Sequence, residues 1–162
     1  MITIVVADDH HVVREGIRTL LEDEPDFRVV GEAADGPETM RIVKLLQPDV
    51  LVVDLKMPGL DGIEVTRQTV KYSPKTQVVI LSIYSNEAYV LGTLEAGAKG
   101  YVLKESSVGD LVQAIREASA GRYYFSLPLS EASVEAYRQQ ANTDDQALQY
   151  NSNVKEGNRY RT

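Results

Sequence analysis

Five polar residues stand where apolar runs stop. Asp8 and Asp9 follow Ile4-Val5-Val6-Ala7, Asp54 follows Val50-Leu51-Val52-Val53, Ser82 follows Val78-Val79-Ile80-Leu81, and Lys104 follows Tyr101-Val102-Leu103. Taken singly, each has an ordinary explanation as a loop residue, a helix cap or a solvated charge. Taken together they describe chemistry. Three carboxylates brought within a few ångström repel one another unless a cation intervenes. Magnesium suits such a set, because it is a hard ion that takes oxygen ligands and is often completed by a phosphate oxygen. A lysine opposite would pair with the same anion, and a serine hydroxyl would donate to it. The set therefore predicts a phosphoryl-transfer site in which Asp54 is the nucleophile.

The convergence of these residues depends on the elements that carry them. Short apolar runs at 2–7, 27–33, 50–54, 77–81 and 100–103 read as strands, the third being buried on both faces. Between them lie helical patterns. Val13, Ile17, Leu20 and Leu21 are spaced as one buried face of a first helix, which Asp23, Glu24 and Pro25 end. Asp35-Gly36-Pro37-Glu38 has the form of a helix start, with Asp35 as N-cap and Glu38 at the capping-box position. Residues 61–72 give a third helix, Asn86 caps a fourth that Gly97 stops, and Ser107 opens a fifth that Gly121 closes. Five βα repeats predict an α/β fold, a doubly wound five-stranded parallel sheet with helices on both faces. Such sheets bind ligands at the carboxyl ends of their strands. Those ends carry Asp8, Asp9, Asp54, Ser82 and Lys104; the second strand end, at Ala33-Ala34, brings no charge.

With these residues in place, the chain resembles the receiver domain of two-component response regulators of the NarL/LuxR type, a flavodoxin-like fold. The resemblance rests on Asp8-Asp9-His10 with Val13-Arg14-Glu15-Gly16, Gly31-Glu32-Ala33, Asp54-Leu55-Lys56-Met57-Pro58-Gly59 with Asp61-Gly62, Leu81-Ser82, and the run from Ala96-Gly97 through Gly100-Tyr101 to Lys104. It covers residues 1–125. It implies that Asp54 accepts a phosphoryl group from a sensor histidine kinase. Asp9 would be a direct Mg2+ ligand, Asp8 would act mostly through water, and the backbone carbonyl of Lys56 would complete the protein ligands. Lys104 would pair with the phosphoryl group and Ser82 would turn towards it. Tyr101 would be the switch that swings inward when Ser82 moves. The resemblance further implies no enzyme beyond self-phosphorylation and dephosphorylation, a homodimer formed on phosphorylation, and a parent protein that regulates transcription. The resemblance implies an output surface that is usually the fourth helix, fifth strand and fifth helix, though dimers through the first and fifth helices also occur. Two positions depart from the commoner receiver pattern: Glu105 stands where many receivers have proline, as is frequent in the NarL/LuxR type, and Ser82 replaces threonine.

The composition agrees. Hydrophobic content of 43% and charged content of 25% are those of a globular protein, and no run approaches a transmembrane span. No signal peptide is recognisable and there are no cysteines, which fits a cytoplasmic location. A net charge of −7 argues against nucleic-acid binding by this chain itself. Beyond residue 125 the pattern weakens. Tyr123-Tyr124-Phe125 is expected to dock on the core, and 126–162 is expected to be a linker or tail with a short helix at 130–141. The helix-turn-helix domain of the type is not recognisable there, so DNA would be reached only through a domain missing from this chain.

Other readings are weaker. Position 56 is lysine, whereas a phosphatase of the haloacid-dehalogenase class would place its acid there. His10-His11 lacks a third metal ligand in sequence, and adjacent residues point apart, so His10 is expected only to border the acidic pocket. Lys56 and Tyr84 are placed to screen an attacking water, and Tyr89 and Val90 of the fourth helix are expected to be exposed on the partner surface. A receiver that dimerises without phosphate is the remaining alternative.

Overall fold

The structure is a computed structural model, and it describes residues 1–126. Strands and helices alternate: β1 (Ile2–Ala7), α1 (His11–Glu22), β2 (Phe27–Ala33), α2 (Gly36–Leu46), β3 (Val50–Asp54), α3 (Gly62–Tyr72), β4 (Gln77–Ser82), α4 (Glu87–Ala96), β5 (Gly100–Leu103), α5 (Val108–Ser119) and β6 (Tyr124–Phe125). All neighbouring strands pair in parallel, in the order β2-β1-β3-β4-β5-β6. The order reverses between β1 and β3, so the crevice at the switch point opens beside Ala7 and Asp54.

The strands are continuous apolar runs because both faces are covered. Ile4, Val6, Val50, Val52, Val79 and Leu81 pack with Ile17 and Leu21 of α1 and Leu111 and Ile115 of α5. The alternate positions, among them Val5, Leu51, Val53 and Ile80, are equally buried. Local signals set the helix starts. The Asp35 carboxylate accepts from the Glu38 amide at 2.8 Å, and Glu38 Oε1 accepts from the Ala34 amide at 2.8 Å, a reciprocal cap shifted by one residue. Asp61 caps α3 through the Glu64 amide, and Ser107 caps α5 through the Asp110 amide.

The structure corrects four details. Val13 and Leu20 are 38% and 41% exposed, because α1 is rolled so that only the Ile17–Leu21 edge meets the sheet. Asn86 occupies the N-cap of α4 without a side-chain capping bond. Val90, placed on an exposed face in the sequence reading, is buried. Tyr124 and Phe125 form a sixth strand, two residues long and parallel to β5, where only a docked aromatic patch was expected. Ser126 is still tied to the sheet: its amide donates to the Tyr101 carbonyl at 3.1 Å and its Oγ accepts from the Leu103 amide at 2.9 Å. The expected helix at 130–141 and the rest of the expected tail lie outside the described residues.

Candidate phosphoacceptor site

Strand register brings the carboxylates together. Ala7 pairs with Val53 across β1 and β3, which sets Asp8 level with Asp54 at the rim. Asp54 pairs with Leu81, so Ser82 is one step beyond, and Ser82 pairs with Leu103, which puts Lys104 next in line. The Lys104 amide donates to the Ser82 carbonyl at 2.8 Å. Four strand ends thus meet at one point.

Asp54 is 7% exposed and Asp8 is 1% exposed. Lys104 Nζ donates to Asp54 Oδ2 at 3.3 Å and lies 3.0 Å from Asp8 Oδ2, without the alignment of a hydrogen bond in the latter case. Asp8 Oδ1 accepts from the His10 amide at 2.8 Å, whereas the buried Asp8 Oδ2 has only its ion pair with Lys104. Burial, reinforced by the Asp8 charge, raises the Asp54 pKa although Lys104 pulls the other way. Burial also works against the Lys104 ammonium, but the two carboxylates together raise its pKa above the ordinary lysine value. One ligand atom from each of Asp8, Asp9, His10 and Asp54 lies within 4.8 Å of all the others. Three carboxylates drawn together against a single ammonium are an oxygen-rich, net-negative donor set that fits a divalent cation such as Mg2+.

Ser82 is fully buried, and its Oγ accepts from the Tyr84 amide at 2.9 Å, so it is engaged with its own loop. Tyr101 is also fully buried, and its hydroxyl donates to the Tyr84 carbonyl at 2.7 Å. Burial raises its pKa. Both side chains therefore address the β4–α4 loop rather than the carboxylates. The Lys56 amide is 3.5 Å from Asp54 Oδ1, and the Lys56 ammonium lies 4.8 Å from the Tyr89 ring centre and 5.8 Å from that of Tyr84. Lys56 and the two rings form a rim over the site.

Arg14 is a site residue to which sequence reasoning gave no role. Its Nη1 donates to the Asp8 backbone carbonyl at 2.7 Å and its Nε to Glu32 at 3.0 Å, while Arg18 shares Glu32. Glu32 sits one residue inside the second strand end, so that end does contribute charge, aimed behind the pocket. Arg14 stood within a matched motif, but a partner on another strand leaves no local signal. Gly62 is a second support. A Cβ there would lie 2.8 Å from the Asp54 carbonyl oxygen and 2.9 Å from Leu55 Cα, so only glycine lets α3 start this close to the end of β3.

Residues 4–116 match the family model of the response regulator receiver domain. The chain belongs to the response regulator receiver family. It is 37% identical over 145 residues to the transcriptional regulatory protein DegU of Brevibacillus brevis, covering 90% of this chain and 61% of that protein. Among solved structures it is similar to the signal receiver domain of the putative response regulator NarL from Mycobacterium tuberculosis, with a TM-score of 0.72 and 36% identity over 75% of this chain and 98% of that one. It is also similar to a two-component response regulator of the LuxR family from Aurantimonas sp. SI85-9A1, with a TM-score of 0.75 and 38% identity over 87% and 98% of the two chains. Its relatives are thus response regulators of the NarL/LuxR type, and the chain spans about three fifths of the length of the curated relatives it matches. Among the described residues no helix is long and apolar enough to cross a membrane.

Proposed function

We propose that this receiver is switched by phosphorylation of Asp54, with the phosphoryl group supplied by a sensor histidine kinase. The observation that carries the reading is the buried Asp54 carboxylate at the end of β3, held 3.3 Å from a Lys104 ammonium that it shares with the buried Asp8. In the transfer, a carboxylate oxygen of Asp54 bonds to phosphorus as the bond to the donor's imidazole nitrogen breaks, and that nitrogen keeps the electron pair. Lys104 stays on the carboxylate edge and faces the new phosphoryl oxygens. Asp9, Asp54 and the Lys56 carbonyl would hold Mg2+, with Asp8 acting through water. When bound, the ion offsets charge on the carboxylates and the phosphoryl oxygens. Ser82 would exchange its bond from the Tyr84 amide for one to the phosphoryl group, and Tyr101 would report that exchange through the shared β4–α4 loop. In the whole protein the consequence is a homodimer that controls transcription, in the cytoplasm, with DNA contacted by another domain.

Incubation with magnesium and acetyl phosphate, followed by intact-mass measurement, tests the assignment. Wild type should gain the mass of one phosphoryl group and Asp54→Ala none. Equal gains, or none in either protein, would overturn it. A second reading is a receiver that dimerises without phosphate, and it draws on the inward position of Tyr101, buried and bonded to the Tyr84 carbonyl. The two readings part on a sizing column with light scattering. The same dimeric mass with and without beryllofluoride supports the second.

A further inference from the structure

The outer face of α2 forms one wall of a groove that the chemistry at Asp54 does not use. Pro37, Met40, Arg41, Lys44 and Leu45 line it, the i, i+3, i+4, i+7 and i+8 positions of a single helical stripe. Gln68 of α3 stands opposite. Leu60 of the β3–α3 loop lines the end near the start of α2, where a Cβ on Gly36 would lie 2.4 Å from the Leu60 Cβ. The groove has a volume of about 670 Å3. Met40 is buried at its base, whereas Leu45 is 72% exposed at its rim. The two helices are 11 residues each, about 16 Å long, so the groove can seat about three turns of a docked helix.

Charge says what fills it. In a chain of net charge −7, and among the described residues, α2 and α3 are the helices in which cations outnumber carboxylates. Arg41 and Lys44 stand against Glu38, and Arg67 and Lys71 against Glu64. α4, by contrast, carries Glu87 and Glu95 and no cation. The groove lining holds two cations and no carboxylate. Arg41 meets Glu38 only at 3.8 Å, with its side chain 66% exposed. Lys44 lies 4.3 Å from the Tyr72 ring centre and Lys71 lies 5.2 Å from the same ring. Among the described residues no carboxylate pairs with either ammonium, so this side stays positive. An apolar base under a positive rim complements a helix whose apolar stripe is flanked by carboxylates. Nucleic acid or anionic lipid is a poorer match, because Glu38 and Glu64 interrupt the cations that a phosphate array needs. α1 and α5 share the opposite sheet face, so a dimer closed through them leaves the groove open.

We propose that the α2–α3 groove docks an acidic amphipathic helix of a partner protein, with a leucine-type side chain seated on Met40 and Leu60 and carboxylates meeting Arg41 and Lys44. The contact is separate from phosphoryl chemistry, so Asp54→Ala should bind the helix as wild type does.

The probe is a fluorescein-labelled peptide of about 18 residues, with leucines at i, i+3, i+4 and i+7 and glutamates on the remaining faces. A second peptide has lysine in place of each glutamate, and a third scrambles the order. Fluorescence anisotropy against the full chain gives the affinities, and amide shifts of isotope-labelled protein locate the contact. The glutamate peptide should bind about tenfold or more tighter than the other two, with shifts gathered on α2 and around Leu60 and Gln68. Arg41→Glu combined with Lys44→Glu, and separately Leu45→Ser, should each weaken it about fivefold or more, while Leu20→Glu on α1 changes nothing. These side chains are exposed, so the variants should keep the wild-type melting temperature. The lysine peptide should bind the double charge variant more tightly than wild type, a rescue that loss of packing would not produce. No binding of the glutamate peptide, shifts gathered elsewhere, or an unchanged affinity in both groove variants overturns the proposal. Preferential binding of a DNA duplex or of phosphatidylglycerol vesicles, lost in the charge variant, overturns the protein partner. A concentration-dependent rise in mass by light scattering that the same variants abolish also overturns it, by placing a second copy of this chain in the groove.

Discussion

Asp54 is held in a state that suits its chemistry better than its stability. Its pKa is raised first by burial and then by Asp8, with Lys104 opposing. A folded-state pKa above the unfolded one means that ionising the group costs stability. The full stability is present below the ordinary aspartate value of 3.8 and is lost as pH rises through the higher folded value. Asp54→Asn removes that cost, so the variant should melt a few degrees above wild type at neutral pH. The difference should shrink as pH falls into the acid range, and thermal melts across that range would read it. A variant no more stable than wild type at pH 7 would mean that Lys104 outweighs burial. The same excess of carboxylate over cation makes room for a metal, so Mg2+ should raise the melting temperature of wild type more than that of Asp54→Asn.

At the scale of elements, contacts between the ends of strands and the starts of helices hold the site. Gly62 is the one nearest Asp54, and a Cβ there would press on the backbone of Asp54 and Leu55 rather than on a flexible side chain. Gly62→Ala should destabilise the protein by about 1–3 kcal/mol and slow phosphorylation by acetyl phosphate, readable as a lower melting temperature and a lower rate of mass gain. Stability lost at an unchanged rate would separate the packing from the site. The far edge of the sheet depends on Tyr124, whose hydroxyl donates to Asp110 of α5 at 2.6 Å. Burial and that carboxylate push its pKa up to about 12. The stabilisation is complete below the ordinary tyrosine value of 10.0 and disappears as pH rises towards 12. Tyr124→Phe should cost about 1 kcal/mol near neutrality and become neutral in strong alkali, as denaturant melts at the two pH values would show. What was legible in the chain follows the same division. Val50 to Asp54 announced both a buried strand and a rim carboxylate, because four apolar residues in a row must be covered and the aspartate ends the run. Asp35 and Glu38 announced a helix start because capping is local. The Arg14–Glu32 pair was silent because its halves lie on different elements. β6 was silent because two residues carry no periodicity, and the roll of α1 was silent because 13, 17, 20 and 21 share one arc and only packing chooses its centre.

For the whole molecule, that roll leaves an unpaired surface. Val12, Val13 and Leu20 are 81%, 38% and 41% exposed, and a Cβ at Gly16 would meet nothing within 4 Å. At about 100° per residue these four positions fall within roughly a quarter to a third of the helix circumference. They form one apolar stripe with a small residue near its middle, which lets a second helix approach closely. The alternative face is poorer in such groups: Val90 of α4 is buried, leaving Ile83 in the β4–α4 loop and Val108 at the start of α5 as the exposed large apolar residues there. If phosphorylation produces a homodimer, the α1 stripe is the surface expected to close it. Its exposed location also means that a charge there should not disturb the core. Leu20→Glu should therefore keep the wild-type melting temperature and the mass gain with acetyl phosphate, yet remain monomeric with beryllofluoride at concentrations where wild type dimerises. Ile83→Glu should still dimerise. Light scattering on the two variants decides between the faces, because loss of the dimer in Ile83→Glu with retention in Leu20→Glu would move the interface to the α4 side.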